Sequence, residues 1–300
     1  MKKILVLLSS YNGEKYIEEQ IDSLLKQEEV EVSILVRDDG SNDGTIKILE
    51  RYEKEGHISL IKGKNLGWKK SFMELIYNSS DYDYYAFCDQ DDIWLPQKLK
   101  VAVDCLELMP SDAPNLYGSN LRYYRDGVDK GLVRMKKIKP SLQTALIKNL
   151  TAGCTMVFNK ELRNRVQKNP PQIDFPHDYW VYQVASLLGN VYYDHDSYIL
   201  YRQHDSNQLG VTISKFAKWV GRIKNMRNFI RVRGRCLAAK ELLRLYGHLL
   251  SEEDIKAVRK VACYKESFKN RLSLLFDKEY SMESWDSNIG LKLTILLGRL

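Results

Sequence analysis

The sequence lacks the features that define membrane-spanning, disulfide-rich and zinc-binding proteins. No stretch reaches the roughly 18 uncharged apolar residues that a membrane-spanning helix needs. The five cysteines are scattered and form no Cys-x-x-Cys pair, so neither a disulfide framework nor a zinc site is indicated. There is also no internal repeat and no low-complexity tract. With 300 residues, 44% hydrophobic and 28% charged, the chain can form one large core or a main domain with a smaller appendage.

The N-terminus has only a superficial likeness to a signal peptide. Two lysines precede an apolar run at residues 4–8, but the run is short and no small-residue cleavage site follows before Tyr11. We therefore expect a buried first strand, and reduced cysteines in a cytoplasmic protein.

Basic residues are concentrated towards the C-terminus. The formal net charge is only +7, yet residues 211–240 contain nine basic residues and no acidic ones. Apolar residues recur among them at helical spacing. This pattern is typical of a helix lying on an anionic membrane surface, and equally of a helix packed against the main domain or another subunit.

Strand and helix patterns alternate along the first hundred residues. A continuous apolar run predicts a buried strand at residues 4–8, and further strands are predicted at 32–36, 57–61 and 84–88. Helices are predicted between them, of which the first places Ile17, Ile21, Leu24 and Leu25 on its apolar stripe and the last spans residues 68–77. Such repeated units with short connections indicate a parallel sheet with helices on both faces. We predict further strands at 115–123, 152–159 and 191–202, a helix at 178–188 and a helical region beyond 212.

Polar residues follow three of the predicted strands, at the sheet edge where ligands of such folds bind. These segments are Ser10-Tyr11-Asn12, Asp38-Asp39-Gly40 and Asp89-Gln90-Asp91-Asp92. Carboxylates this close together repel one another unless a cation or solvent compensates them. Hard oxygen ligands suit Mg²⁺ or Mn²⁺, so the third segment predicts a metal site, with a solvated acidic turn as the alternative.

The first two polar loops have both a binding and a purely structural interpretation. Tyr11 can stack on a base beside a helix N-terminus that favours anions, although a plain capped turn fits equally well. In the second loop, Asp39 can accept hydrogen bonds from base and ribose groups, while Gly40 permits close backbone approach. The alternative is a helix start capped by Asp43.

In this order, the motifs resemble the family 2 glycosyltransferases of the GT-A fold. They are Ser10-Tyr11-Asn12, Asp38-Asp39-Gly40-Ser41-Asn42-Asp43-Gly44-Thr45, Asn65-Leu66-Gly67, Asp89-Gln90-Asp91-Asp92, His177-Asp178-Tyr179-Trp180 and Tyr201-Arg202-Gln203-His204. The Asp-Gln-Asp-Asp-Ile-Trp form of the acidic motif looks closest to bacterial rhamnosyltransferases of cell-wall and capsular polysaccharide synthesis. The resemblance implies an α/β GT-A catalytic domain at residues 1–210, with a Rossmann-like, mostly parallel sheet, and a basic helical region at 211–300.

The resemblance also implies a role for each matched residue. Asp178 would be the catalytic base, and Asp91 and His204 would hold Mg²⁺ or Mn²⁺. The nucleotide sugar would be bound by Ser10, Tyr11, Asn12, Asp39, Asn65, Gly67, Asp89 and Gln90. The acceptor side would comprise Thr151, Gly153, His177 and Trp180, and the role of His177 is open because many relatives have Glu there.

Two of these residues, and Cys154 near the acceptor side, have a simpler interpretation from the residues alone. Asp178 is typical of a helix N-cap, and His204 of a surface histidine in a polar loop. Core packing explains Cys154, beside Gly153, equally well.

The implied reaction is inverting transfer of a sugar from a nucleotide donor to a hydroxyl of a lipid-linked saccharide. The favoured donor is dTDP-β-L-rhamnose, with a UDP-hexose as the alternative. Such an enzyme would be cytoplasmic and able to bind the inner face of the cell membrane, and a homo-oligomer is compatible with the basic region.

Two other classes of protein fit the sequence less well than a transferase. A nucleotidyltransferase would need a Gly-rich, basic phosphate loop after the first strand, which residues 10–14 lack. A non-enzymatic module that binds nucleic acid or another anionic polymer would use the basic helices. Against it, no DNA- or RNA-binding motif is present, and the acidic strand ends would repel phosphates in the absence of metal. We therefore expect no nucleic-acid partner.

Overall fold

The computed structural model describes residues 1–134, 139–203, 234–282 and 284–300. The chain forms two compact units. Within the described ranges, unit 1 comprises Met1–Lys139, Thr151–Pro170 and Pro176–Gln203, and unit 2 comprises Pro140–Leu150, Pro171–Phe175 and the residues from Gly234 onwards. Unit 2 thus takes two short segments from the range predicted to be the catalytic domain.

The helices and strands alternate as the sequence predicts for the first hundred residues. In chain order they are β1 (Lys3–Ser10), α1 (Ile17–Leu25), β2 (Glu31–Asp38), α2 (Thr45–Lys54), β3 (Ser59–Lys62), α3 (Trp68–Tyr77), β4 (Tyr84–Cys88), β5 (Ile93–Trp94), α4 (Lys98–Glu107), β6 (Asn115–Ser119), β7 (Arg122–Arg125), β8 (Val128–Leu132), α5 (Leu142–Ile147), β9 (Val157–Asn159), α6 (Lys160–Lys168), α7 (His177–Leu188), β10 (Asn190–Asp194), β11 (Ile199–Arg202), α8 (Gly234–Tyr246), α9 (Glu252–Ala262), α10 (Phe268–Leu275) and α11 (Trp285–Leu296).

The main sheet of unit 1 has seven strands in the order β10-β6-β9-β4-β1-β2-β3. β9 runs antiparallel to both of its neighbours, and the other paired strands are parallel. This arrangement confirms the predicted mostly parallel sheet. All five residues of β4 are buried, as expected for a central strand that is covered on both faces.

The first helix buries most of its predicted stripe. Ile17, Ile21 and Leu24 are fully buried, whereas Leu25 is 41% exposed. The prediction was wrong for Leu25 because it is the last residue of α1 and points to a different side of the helix from Leu24.

A second, four-stranded sheet has the order β5-β11-β7-β8. Two stretches predicted as single strands are each divided between the sheets, 115–123 into β6 and β7 and 191–202 into β10 and β11. The break after β6 is fixed by Asn120, whose backbone N–H is directed to the carbonyls of Asp194 and Asp196. The strand predicted at 152–159 is also shorter than expected, because Gly153–Thr155 form a 3₁₀ turn before β9.

Unit 2 is helical in its described part. Its core includes Leu242 of α8 and Val258 and Val261 of α9, all of which are fully buried. The predicted C-terminal helical region is therefore present from Gly234 onwards, while residues 211–233 lie outside the described residues. Among the described residues, no helix combines the length and apolar character needed to cross a bilayer.

Candidate active site

The carboxyl ends of β1, β2 and β4 meet at one edge of the main sheet. The strands are neighbours, with Ser10 of β1 in register with Asp38 of β2, and Leu8 of β1 in register with Cys88 of β4. The loops that follow them therefore lie side by side, as the sequence predicts. The acidic segment Asp89–Asp92, called the acidic loop below, passes from β4 of the main sheet to β5 of the second sheet.

Hydrogen bonds join the first loop to the second. The backbone N–H of Asn12 donates to Ser41 Oγ at 2.9 Å, and Asn12 Oδ1 accepts from the backbone of Asn42 at 2.8 Å. Asn12 adopts a positive φ of 49°, which Asn tolerates better than most residues. Ser10 Oγ donates to Asp38 at 2.9 Å. Ser10 and Asn12 thus shape the loops, while the Tyr11 side chain is 44% exposed and free to stack on a base.

Asp39 connects the second loop to the segment Asn65-Leu66-Gly67. Its carboxylate forms a buried ion pair with Arg37 and accepts the backbone N–H groups of Leu66 and Gly67, each at 2.8 Å. Asn65 Oδ1 also accepts from the Gly67 amide at 3.1 Å. The geometry therefore gives Asp39 a clear structural task, and its predicted contact with a nucleotide base stays a prediction.

The helix start that follows the second loop differs from the alternative considered for Asp43. Gly44, not Asp43, is the N-cap of α2. Asp43 lies one residue earlier and accepts from the backbone N–H of Thr45 at 3.0 Å. Partial burial acts to raise the pKa of Asp43, but its hydrogen bonds with Thr45 and Glu14 outweigh this effect and lower the pKa below its usual value.

Two carboxylates of the acidic loop lie close to the thiol of Cys154. The ligand atoms of Asp89, Asp92 and Cys154 lie within 4.8 Å of one another. Burial, together with the nearby charges of Asp91 and Asp178, raises the pKa of Asp89 to about 7. The pKa of Asp92 is raised well above its usual value by burial and by the charges of Asp91 and Asp89. Asp92 Oδ2 is buried and has no hydrogen-bond partner among the described residues.

This cluster fits a divalent cation. Closely spaced carboxylates with raised pKa values, together with an unpaired buried oxygen, are stabilised when a positive charge is supplied. Cys154 is not a suitable ligand for a hard cation, because burial and the two carboxylates raise the pKa of its thiol well above the usual value. Its thiol instead hydrogen-bonds to the carboxylates. The oxygen atoms of the acidic loop are thus the groups that would hold Mg²⁺ or Mn²⁺.

Asp178 is located beside the acidic loop. It lies in the first turn of α7, where a carboxylate is favoured by the helix dipole. Its charge contributes to the raised pKa of Asp89, after burial and the charge of Asp91. The N-cap of α7 is Pro176, so the interpretation of Asp178 as the cap was wrong. A Cβ atom on Gly153 would lie 3.4 Å from the Cβ of Asp178.

The residues predicted for the acceptor side differ in their exposure. Thr151 is 2% exposed, His177 is 3% exposed and Trp180 is fully buried. None of these three presents appreciable surface to an acceptor. Gly153 and Asp178 are partly exposed. The space beside Asp178 is therefore bounded by a residue without a side chain.

His177 is enclosed by aromatic rings. It stacks on Phe72 at 4.0 Å between ring centroids, and Phe87 and Trp68 contact it edge-on at 4.7 and 5.7 Å. Burial lowers the pKa of His177 to about 3, so the imidazole is neutral at physiological pH. Neither ring nitrogen has a hydrogen-bond partner among the described residues.

The structure adds two basic side chains, Lys98 and Arg202, to the predicted site. Lys98 is buried, and its Nζ lies 3.3 Å from the centroid of the Trp94 ring. Burial lowers the pKa of Lys98 to about 8, while Cys88, Cys154 and Asp92 act in the opposite direction. Arg202 contacts the acidic loop from β11. Arg202 stands in one of the quoted motifs, but Lys98 has no signal in the sequence beyond its place at the start of α4. His204 lies outside the described residues.

Comparison with known sequences agrees with this geometry. A sequence model described as "Glycosyl transferase family 2" matches residues 5–187. The chain therefore belongs to glycosyltransferase family 2 and is a glycosyltransferase. The dTDP-rhamnosyl transferase RfbG of Shigella flexneri is 34% identical over 233 residues, which cover 73% of this chain and 79% of RfbG.

Solved structures show the same fold. Residues 1–349 of TarS from Staphylococcus aureus, in complex with UDP-GlcNAc, give a TM-score of 0.58 at 18% identity over 98% of this chain and 81% of that one. The mannosyltransferase PcManGT from Pyrobaculum calidifontis, in complex with GDP-Man and Mn²⁺, gives 0.54 at 14% identity over 99% and 86%. At such identities the likeness concerns the fold alone, which is the predicted GT-A fold.

Proposed function

We propose that this chain is an inverting, metal-dependent rhamnosyltransferase. Its donor is dTDP-β-L-rhamnose, and its acceptor is a hydroxyl of a lipid-linked saccharide in bacterial surface polysaccharide synthesis. The observation that carries the proposal is that Asp178 borders Gly153, whose neighbour Cys154 has its thiol within 4.8 Å of the Asp89 and Asp92 carboxylates, so a base lies beside the acidic loop. The name of RfbG supports rhamnose as the transferred sugar.

The chain's own residues bind the donor and remove one proton. Tyr11 stacks on the base with its exposed ring, and Asp39 with the Asn65–Gly67 segment lines the nucleoside side. Asp178 takes the proton of the acceptor hydroxyl as the new bond to the anomeric carbon forms and the bond from that carbon to the diphosphate oxygen breaks. General bases contribute about 10²–10⁴-fold to such steps. Attack from the side opposite the diphosphate gives an α-L-rhamnoside.

The acidic loop is assigned to the diphosphate side of the donor. Asp91 and His204 are the proposed metal ligands, and Asp89, two residues before Asp91 in the same loop, is assigned to the diphosphate side. A bound Mg²⁺ or Mn²⁺ would supply charge neutralisation of the departing nucleoside diphosphate. The Mn²⁺ in the PcManGT complex supports a divalent cation for the same fold.

A UDP-hexose is the alternative donor. The complex of TarS with UDP-GlcNAc supports it, because that protein has the same fold. The two donors differ in base and sugar, so a direct comparison of turnover decides between them.

The test is an assay with a panel of nucleotide sugars. The chain is incubated with dTDP-rhamnose, UDP-glucose or UDP-GlcNAc, a lipid-pyrophosphate glycan and Mg²⁺ or Mn²⁺, and products are identified by mass spectrometry. We expect a mass increase of one deoxyhexose with dTDP-rhamnose only, and none after addition of EDTA. Transfer of a hexose instead would replace the donor, and full activity in EDTA would remove the metal from the proposal.

We also propose that the enzyme associates with the cytoplasmic face of the cell membrane. A lipid-linked acceptor requires the enzyme to work at the cytoplasmic face of the membrane. The excess of basic residues at 211–240 supports a peripheral association with anionic lipids. Sedimentation with anionic and neutral vesicles at low and high salt tests it, and binding that ignores both charge and salt would contradict it.

A further inference from the structure

Arg202, the last residue of β11, makes three different contacts with the acidic loop and α1. Its backbone N–H donates to Asp92 Oδ1 at 3.1 Å, and its Nε donates to the carbonyl of Asp91 at 2.8 Å. Its Nη2 forms an ion pair with Glu19 of α1. The Arg202 side chain is 16% exposed, so most of it is shielded from water.

The guanidinium is also held between aromatic rings. It lies 4.9 Å from the ring centroid of Tyr16 and 5.6 Å from that of Tyr124. Cation–π contacts of this kind restrict a planar guanidinium more strongly than a flexible ammonium group. The two rings therefore restrict the orientation of the Arg202 guanidinium beside the acidic loop.

The position of the acidic loop explains why such a restraint is needed. The loop crosses from β4, where Cys88 is paired with Leu8 of β1, to β5, where Ile93 and Trp94 are paired with Leu200 and Ile199 of β11. The loop residues between these two strands belong to neither strand pair. The Arg202 amide continues this ladder to the Asp92 carboxylate. The Arg202 Nε donates to the carbonyl of Asp91, the residue before Asp92. This hydrogen bond fixes the backbone that carries the Asp91 carboxylate.

We infer that Arg202 is a positioning residue for the metal ligand Asp91. It fixes the Asp91 carbonyl and the Asp92 carboxylate, and this leaves the Asp91 side chain in one orientation towards the cation. The inference rests on the proposed function, in which Asp91 binds the metal of the donor complex. Partners that orient metal ligands contribute about 10–100-fold to metal affinity or activity.

Two variants separate the parts of this role. Arg202→Lys keeps the positive charge but loses the planar fork, and Arg202→Met removes both. Arg51→Met is the matched control, because Arg51 also combines an ion pair with a glutamate, Glu18, and a ring contact, to Tyr52 at 5.1 Å, on α2.

The measurement is binding of Mn²⁺ in the presence of dTDP, followed by electron paramagnetic resonance on the full chain without turnover. We expect the dissociation constant for Mn²⁺ to rise about tenfold or more in Arg202→Met, and nearly as much in Arg202→Lys. Arg51→Met should bind like the wild type. In the transfer assay, the Mn²⁺ concentration for half-maximal activity should rise in parallel with the dissociation constant.

A merely structural role predicts a different result. Arg202→Met would then melt at a lower temperature while binding Mn²⁺ with wild-type affinity, and this would overturn the inference. A wild-type chain that transfers sugar but binds no Mn²⁺ with dTDP would overturn it too, and would leave the transferase function standing. Wild-type Mn²⁺ binding with no transfer from any donor would instead contradict the proposed function.

Discussion

The side-chain amide of Gln90 forms two hydrogen bonds with the backbone of Tyr11. Gln90 Oε1 accepts the Tyr11 N–H at 2.8 Å, and Gln90 Nε2 donates to the Tyr11 carbonyl at 3.1 Å. The pair joins the loop after β1 to the loop after β4, so the residue proposed to stack on the base is tied to the acidic loop. Under the proposed function, we expect Gln90 to affect donor binding through the position of Tyr11.

Gly13 is required for this pair, and its replacement should weaken donor binding. A Cβ atom on Gly13 would lie 2.4 Å from Gln90 Oε1. Gly13→Ala therefore displaces the amide and breaks both bonds to Tyr11, at a cost of about 1–3 kcal/mol in the free energy of unfolding. We expect weaker binding of dTDP by calorimetry and a lower urea midpoint.

The control for this prediction is a glycine with space around it. A Cβ atom on Gly290 of α11 would meet nothing within 4 Å. Gly290→Ala should leave dTDP binding unchanged and stabilise the helix by up to about 1 kcal/mol. Wild-type affinity for dTDP in Gly13→Ala would show that Gln90 does not position Tyr11.

The sequence predicts the fold well where local patterns and tertiary structure agree. The bounds of α3 and β4 match the predicted ranges because an amphipathic helix and a fully buried strand have distinct apolar patterns. The divided strands were missed because Asn120 interrupts an otherwise continuous strand pattern through contacts with Asp194 and Asp196, which are distant in sequence. Propensity alone does not contain such contacts.

The sequence predicts which residues form the candidate site better than it predicts the contacts that those residues make. The acidic loop and Asp178 come together, as the motifs imply. Arg202 was quoted without a role, because hydrogen bonds to the Asp91 carbonyl depend on how two sheets meet. Burial of Trp180 likewise follows from packing and has no signature in a short polar motif.

The ion pair of Arg37 and Asp39 should be important for stability. Their side chains are 5% and 3% exposed, so loss of one charge leaves the other buried without a counter-ion. We expect Asp39→Asn to lower the free energy of unfolding by about 3–5 kcal/mol, measured by urea denaturation. Lys62→Met, which removes the exposed pair with Glu50, should stay near the wild type. Equal stability of the two variants would contradict this assignment.

Asp178 should control the chemical step and leave the fold intact. Asp178→Asn retains the shape of the side chain but cannot take a proton, so kcat should fall by about 10²–10⁴-fold. The KM for the donor and the melting temperature should change little, because the residue is partly exposed in the first turn of α7. Asp104→Asn, at an exposed carboxylate of α4, is the control. Near-normal turnover of Asp178→Asn would assign the base elsewhere.

His177 should make the stability of the chain depend on pH. Burial lowers its pKa to about 3 in the folded state, whereas an unfolded histidine titrates near its ordinary value of 6.5. Below pH 6.5 the unfolded chain therefore binds one more proton at this residue, and the folded state loses stability until the pH reaches about 3. Above pH 6.5 the residue contributes no pH dependence.

The variant His177→Phe isolates this contribution, because it keeps an aromatic ring against Phe72 and Phe87 but cannot be protonated. We expect the variant to gain about 2–3 kcal/mol over the wild type between pH 6.5 and pH 4.5, at 1.36 kcal/mol per pH unit. Urea denaturation of both proteins across this range measures the difference in their free energies of unfolding. The carboxylates titrate in both proteins, so their contribution cancels in this difference. A gap that stays constant with pH would mean that His177 is already protonated or solvated in the folded chain.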